Sequence, residues 1–150
     1  MAAGPWTFYL KAKGHIGDGT INLLTDTFRM ALYTSASNVE SVATLSTFGA
    51  VTGEVIEANG YMSSGKVLPA RTWATGASAG EMRFDSSALV WSAAGGNIAN
   101  VKYAVIWKEG VSALARKLLF YSKLSTGQFN VTTGNSLTIT PSSNGYFELN

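Results

Sequence analysis

Turn residues cut this chain into short apolar segments that alternate every second position, and no stretch sustains the 3.6-residue period of an amphipathic helix. Alternation of that kind places one face of a strand in a core and the other towards solvent or a second layer. Residues 27–34 show it best: Phe28, Met30 and Leu32 fall on one face, and Arg29, Ala31 and Tyr33 on the other. In residues 101–108, Val101, Tyr103, Val105 and Trp107 share one face, and Lys102, Ala104 and Ile106 the other. Burying four such side chains contributes about 6–12 kcal/mol before chain entropy is counted. Residues 117–124 are apolar on both faces at Leu118, Leu119, Phe120 and Tyr121, as suits a strand covered on two sides.

Turn chemistry marks the boundaries. Asn59-Gly60 tolerates positive φ at both positions and predicts a tight turn, as does Asn144-Gly145. Around the latter, residues 136–140 and 146–150 read as a terminal hairpin with Leu137, Ile139, Phe147 and Leu149 inward. Residues 81–84 and 89–92 read as strands joined by Asp85-Ser86-Ser87. Residues 61–68 form a short strand that Pro69 ends, and residues 51–58 a weaker one. Residues 39–48 hold a short helical turn or a loop. Residues 72–80 and 93–97 read as loops, and residues 109–116 as a plain connection. Nine or ten strands without a 20–50-residue repeat exclude a solenoid or propeller. They predict an all-β fold: an antiparallel two-sheet sandwich, jelly-roll-like in form.

The 150 residues set one domain as the expectation. Residues 1–19 stand apart from it. Trp6, Phe8, Tyr9 and Leu10 are followed by a stretch with three glycines, two lysines and the single histidine. Two readings stay open, an N-terminal arm with a loop or a plain first strand. The organisation carried forward is an arm over residues 1–19 and a sandwich over residues 20–150.

Only 13% of the residues are charged, about half the usual share, while 46% are hydrophobic. That balance excludes a disordered chain. The net charge of +2 provides no basic patch, so no direct nucleic-acid partner is expected. There is no cysteine, hence no disulfide, thiolate nucleophile or cysteine metal site. Residues 1–9 lack the basic and apolar regions of a secretion signal, and no apolar run reaches the ~18 residues of a membrane helix. The expectation is a chain made in the cytoplasm, with no membrane partner.

Candidate chemistry is sparse. His15 has Asp18 and Asp26 downstream, but a Ser-His-Asp triad needs spatial convergence with a serine and an oxyanion hole, and no Gly-x-Ser-x-Gly elbow is present. Glu54 and Glu57, three apart, do not share a strand face as paired glycosidase carboxylates. Asp18-Gly19-Thr20 lacks the acidic ladder of a calcium loop. Gly14, Gly17 and Gly19 have the wrong spacing for a dinucleotide loop, and Ser64-Gly65-Lys66 runs into Val67 rather than a hydroxyl residue. The sequon at Asn130-Val131-Thr132 has no consequence in a chain without a signal. No catalytic residue, metal ligand or cofactor is assigned.

Among the aromatics, Trp73, Trp91 and Trp107 are assigned to the core, with an exposed carbohydrate platform as the alternative use. Trp6, Phe8, Tyr9 and Leu10 are harder to bury and are assigned to a partner interface, because exposed apolar groups mark interfaces. Sparse charge points the same way: the surface of such a chain is expected to be covered in an assembly.

The segment Gly17-Asp18-Gly19-Thr20-Ile21-Asn22-Leu23, running into Thr25-Asp26-Thr27-Phe28-Arg29-Met30-Ala31-Leu32, resembles the opening of small structural proteins of tailed bacteriophages. The resemblance continues through residues 54–61, 84–94, 103–106 and 135–149, in the same order. It implies a virion component: a decoration, or cement, protein on the capsid exterior, with a jelly-roll sandwich. Its implied partners are the major capsid protein and copies of itself, as dimers or trimers. The tail-associated or receptor- and glycan-binding virion protein is the other role considered. The aromatic N-terminal segment and the basic residues Lys102 and Lys108 depart from the pattern, which leaves the attachment surface open.

Overall fold

The computed structural model describes residues 4–149. Among these, the chain order is β1 (Trp6–Phe8), α1 (Leu10–Gly17), β2 (Phe28–Tyr33), β3 (Lys66–Val67), β4 (Thr72–Thr75), β5 (Met82–Asp85), β6 (Leu89–Ser92), β7 (Ile98–Val101), β8 (Tyr103–Lys108), β9 (Leu118–Lys123), β10 (Phe129–Val131), β11 (Ser136–Ile139) and β12 (Phe147–Leu149). The fold is all-β, and every pairing is antiparallel. A five-stranded sheet, β1-β9-β8-β2-β3, forms the centre; β12-β5-β4, β10-β7 and β11-β6 form smaller sheets. The layered arrangement is that of a sandwich, and these pairings do not establish a jelly roll.

The alternation of β2 explains the layering. Phe28, Met30 and Leu32 join a large core with Phe84, Trp91, Leu137 and Ile139 from the small sheets. Ala31 and Tyr33, on the opposite face, join a second core with Tyr9, Ala12, Val39, Leu45 and Phe48. The central sheet is therefore covered twice, by the small sheets on one face and by α1 with residues 39–50 on the other. In β8, Ala104 and Ile106 enter the first core while Tyr103, Val105 and Trp107 enter the second. Val101 does not share their face. It ends β7, pairs with Phe129 and packs in the first core, because the chain breaks strand pairing at Lys102.

β9 carries a bulge. Ile106 pairs with Phe120 and Trp107 with Leu118, so Leu119 is the extra residue. This is why Leu119 and Phe120, adjacent in sequence, both belong to the first core, while Leu118 belongs to the second.

Of the two readings left open for the N-terminal segment, the first strand is the one formed, over Trp6–Phe8, and residues 6–17 do not make an arm. Trp6, Thr7 and Phe8 pair with Ser122, Tyr121 and Phe120 as the sheet's edge strand, and the chain then turns into α1. Tyr9 is fully buried, with its hydroxyl donating to the Val39 carbonyl at 3.0 Å. Ala12 is buried in the same layer. The segment thus packs into both cores of the sheet, Trp6 and Ile16 against the first and Tyr9 and Ala12 in the second; residues 1–3 lie outside the described residues. The aromatics are held by edge-to-face contacts, which are apolar and directional and look like a sticky tail when read in one dimension. Eight residues with two glycines and one buried side chain give α1 almost no period to detect.

The terminal hairpin is also corrected. A turn does form at residues 142–145, with the Gly145 N–H donating to the Ser142 carbonyl at 2.9 Å. Its arms then part: β11 pairs with β6, and β12 with β5, so Leu137 lies opposite Trp91 and Phe147 opposite Phe84. Likewise β5 and β6 are strands in different sheets. Residues 72–75, expected as loop, form β4 because Trp73 pairs opposite Phe84. The weak strand at residues 51–58 reduces to two isolated bridges, Glu54 with Tyr33 and Ala58 with Tyr61. The Asn59-Gly60 turn is present, with φ of 55° and 97°, and a side chain on Gly60 would overlap the Ser92 carbonyl.

Candidate interaction surface

The four residues assigned to a partner interface are divided by the fold. Trp6 is half-buried, edge-on to Phe120 at 5.6 Å and to Tyr146 at 5.1 Å. Phe8 is half-buried against Phe120 and Phe147, at 5.2 and 4.7 Å. Tyr9 is inside the molecule, and burial raises its hydroxyl pKa far above the ordinary range. Only Leu10, 57% exposed on the first turn of α1, is presented to solvent.

The exposed apolar surface lies elsewhere. Leu24, Ile56, Met62, Val111, Leu114 and Leu149 all show more than half of their surface. Val111 and Leu114 occupy the β8–β9 loop, where Val111 is fully exposed and Leu114 is 75% exposed. That loop is tightly built. Both the carbonyl and the hydroxyl of Ser112 accept from the Ala115 N–H, at 3.0 and 3.2 Å. The Arg116 side chain donates through Nε to the Gly110 carbonyl at 3.3 Å and lies over the Trp107 ring. A Cβ on Gly110 would fall 2.6 Å from the Ala115 side chain, so only glycine fits there.

A groove of about 420 Å³ runs between α1 and β12, lined by Phe8, Ile16, Phe147 and Leu149 with Lys13 and Glu148. It is apolar at its floor, where the Phe8 and Phe147 rings meet edge to face. Lys13 lies over the Phe8 ring, its nitrogen 6.0 Å from the centroid.

The structure does converge a serine on His15. Nε2 of His15 lies 3.2 Å from the Ser46 hydroxyl, and Nδ1 lies 3.9 Å from the Asp18 carboxylate. The second distance exceeds a hydrogen bond, so Asp18 does not fix the imidazole tautomer as a triad carboxylate must. Asp18 instead accepts from the Thr20 N–H at 2.8 Å, and the Thr20 side chain and then its backbone N–H lower the Asp18 pKa, with its side chain largely in water. The arrangement ties α1 to the loop that covers the second core. Asp26, the other candidate, pairs with Lys108 at 3.1 Å, beside the Phe28–Lys108 strand pair.

Glu54 has a structural duty. Its Oε1 accepts from the Tyr61 hydroxyl at 2.7 Å and from the Ser64 N–H at 2.5 Å, and the Tyr61 oxygen in turn accepts from the Leu32 N–H at 3.0 Å. Glu57 accepts from the Ser63 N–H at 3.0 Å, so the two carboxylates flank the same turn with separate partners. Of the three core tryptophans, Trp91 and Trp107 are buried and Trp73 is half-buried against Phe147. Among the described residues no three His, Asp or Glu side chains gather as a metal set, and no helix is long and apolar enough to cross a membrane.

Compared with known proteins, the chain matches no family model, no curated protein and no solved structure.

Proposed function

We propose that this chain is a non-catalytic structural component of a tailed-phage particle, a capsid decoration protein that stabilises the assembled head through non-covalent contacts. The observation that carries the reading is the exposure of large apolar side chains, Val111 and Leu114 foremost, on a chain of which only 13% is charged. Such groups are costly to leave in water, and their burial against a neighbour is the ordinary use of such a surface. The partners proposed are the major capsid protein and further copies of the chain, on the capsid exterior after synthesis in the host cytoplasm. Each copy that binds the assembled shell and not its dissociated subunits adds stability by mass action. The resemblance of the strand-and-turn order to phage structural proteins supports the particle setting.

A second reading places the chain at the tail as a glycan-binding protein. It is favoured by a neutral cavity of about 240 Å³ lined by Asn59, Asn97 and Asn100 beside the exposed Ile56. Imaging of the intact particle with the chain located in it separates the two. Ordered copies on the outer face of the head support the first reading, copies on the tail support the second, and absence from the particle defeats both.

A further inference from the structure

We propose that Asn144-Gly145 is the chain's site of spontaneous amide-to-acid conversion, and that the fold protects the same dipeptide at Asn59-Gly60. Such chemistry is independent of any role in a virion. Asparagine before glycine is the pair most open to it, because glycine has no side chain to shield its nitrogen from the neighbouring amide. The sequence holds two such pairs, and both form turns.

The Gly145 nitrogen gives its proton to solvent base and attacks Cγ of Asn144. The N–Cγ bond forms, the Cγ–Nδ2 bond breaks, and the amide nitrogen leaves as ammonia with a proton from water. Water then opens the succinimide ring at one of its two carbonyls. Opening at Cγ leaves aspartate; opening at the main-chain carbonyl leaves isoaspartate, whose backbone runs through the former side chain. Water is the only co-reactant, and nothing is oxidised or reduced.

The side chain must swing to the nitrogen of the next residue, so the rate follows the cost of freeing it. Asn59 is clamped. Its Nδ2 donates to the Asn97 carbonyl at 2.9 Å, and its own carbonyl accepts from the Ala94 N–H at 3.0 Å. Gly96 lies against the amide, where a Cβ would fall 2.6 Å from Nδ2 and 2.8 Å from Cγ. Freeing Asn59 therefore means opening residues 94–97 as well. Asn144 is exposed, and the Ser143 hydroxyl approaches its Oδ1 only to 3.4 Å, at the weak end of hydrogen bonding. What restrains this site is Ser142. Its carbonyl accepts from the Gly145 N–H at 2.9 Å, and its hydroxyl donates to the Gly145 carbonyl at 2.7 Å and accepts from the Asn144 N–H at 3.2 Å. β11 and β12 leave this turn for different sheets, so Ser142 holds it rather than a ladder across it.

The two products also fare differently. At residue 144 a carboxylate stands next to Ser143, whose carbonyl accepts from the Arg83 guanidinium at 2.9 Å, so a cation is at hand. At residue 59 a carboxylate replaces the donor facing the Asn97 carbonyl with an acceptor, setting oxygen against oxygen.

Intact protein held in mildly alkaline, ammonium-free buffer and mapped by mass spectrometry is expected to convert Asn144 at least about tenfold faster than Asn59, the ratio made by about 1.4 kcal/mol of difference in local opening. In urea the two rates are expected to converge. Ser142→Ala is expected to speed conversion at Asn144 several-fold and to leave Asn59 unmoved. Of the product mimics, Asn59→Asp is expected to unfold at lower urea than Asn144→Asp. Asn59 converting as fast as Asn144 in the folded chain overturns the proposal. So does a preference for Asn144 that persists unchanged in urea, which would assign it to the local sequence and not to the fold. A Ser142→Ala rate equal to that of the wild type overturns the part given to the turn.

Discussion

Alkaline pH is expected to unfold this protein in one cooperative step near pH ~11, because its core is stocked with tyrosines that must stay protonated. Tyr9, Tyr33, Tyr61, Tyr103 and Tyr146 are all nearly inaccessible to solvent. Burial raises each hydroxyl pKa; Glu54 adds to the effect at Tyr33 and Tyr61, and the Glu40 bond to that at Tyr103, which is pushed up to about 12. In the unfolded chain each titrates at about 10. The folded state therefore holds the proton longer. This part of the stability is fully present below pH ~10 and is lost as the pH rises towards the folded-state values. One pH unit above the unfolded value, each tyrosine has cost about 1.4 kcal/mol, and five together about 7 kcal/mol. That is comparable with the whole stability of a typical domain, about 5–15 kcal/mol. Tyrosinate absorbance and far-ultraviolet circular dichroism, followed in one titration, are expected to change together. Five tyrosinates appearing by pH ~10.5 with the β signal intact would refute the reasoning, since the hydroxyls would then be reachable in the folded state.

Other perturbations separate strain from packing. Gly60→Ala is expected to cost at least about 2 kcal/mol by urea unfolding, because positive φ and the Ser92 carbonyl both oppose it; Gly19→Ala, at φ 80° in open space, is expected to cost about 1 kcal/mol. Ser46→Ala is expected to lose about 1 kcal/mol or less, and neither it nor the wild type is expected to react with a fluorophosphonate probe; labelling at Ser46 would reopen the hydrolytic reading. Deleting residues 1–12 is expected to leave a chain without cooperative unfolding, because β1 and Tyr9 go with it.

What the sequence shows of this fold is local. β2 and β8 are legible because their side chains alternate between two cores, β9 because it is apolar on both faces, and the Asn59-Gly60 turn because two positive φ angles demand such residues. Pairing is not legible: a tight turn at residues 142–145 looks the same whether its arms meet each other or part to Trp91 and Phe84. The N-terminal aromatics mislead for a related reason. Their partners, Phe120, Tyr146 and Phe147, lie more than a hundred residues away in sequence. Residues 109–116 read as a plain connection because two exposed apolar residues in a short loop have no period, and only solvent exposure distinguishes Val111 from a core valine. The groove beside Phe8 is invisible for a like cause, being made of α1 and β12 from opposite ends of the chain.

The extra residue at Leu119 has a consequence for how the sheet assembles as the chain folds. The middle strand of a sheet can misassemble by sliding one step along its neighbours, which trades inward for outward side chains. Here the offset is built into the strand itself. Trp6 and Phe8 lock β9 on one side and Trp107 with Ile106 on the other, with Leu119 taking up the difference between them. A slip that satisfied one neighbour would break the other. Each newly made chain is thereby held to a single registration.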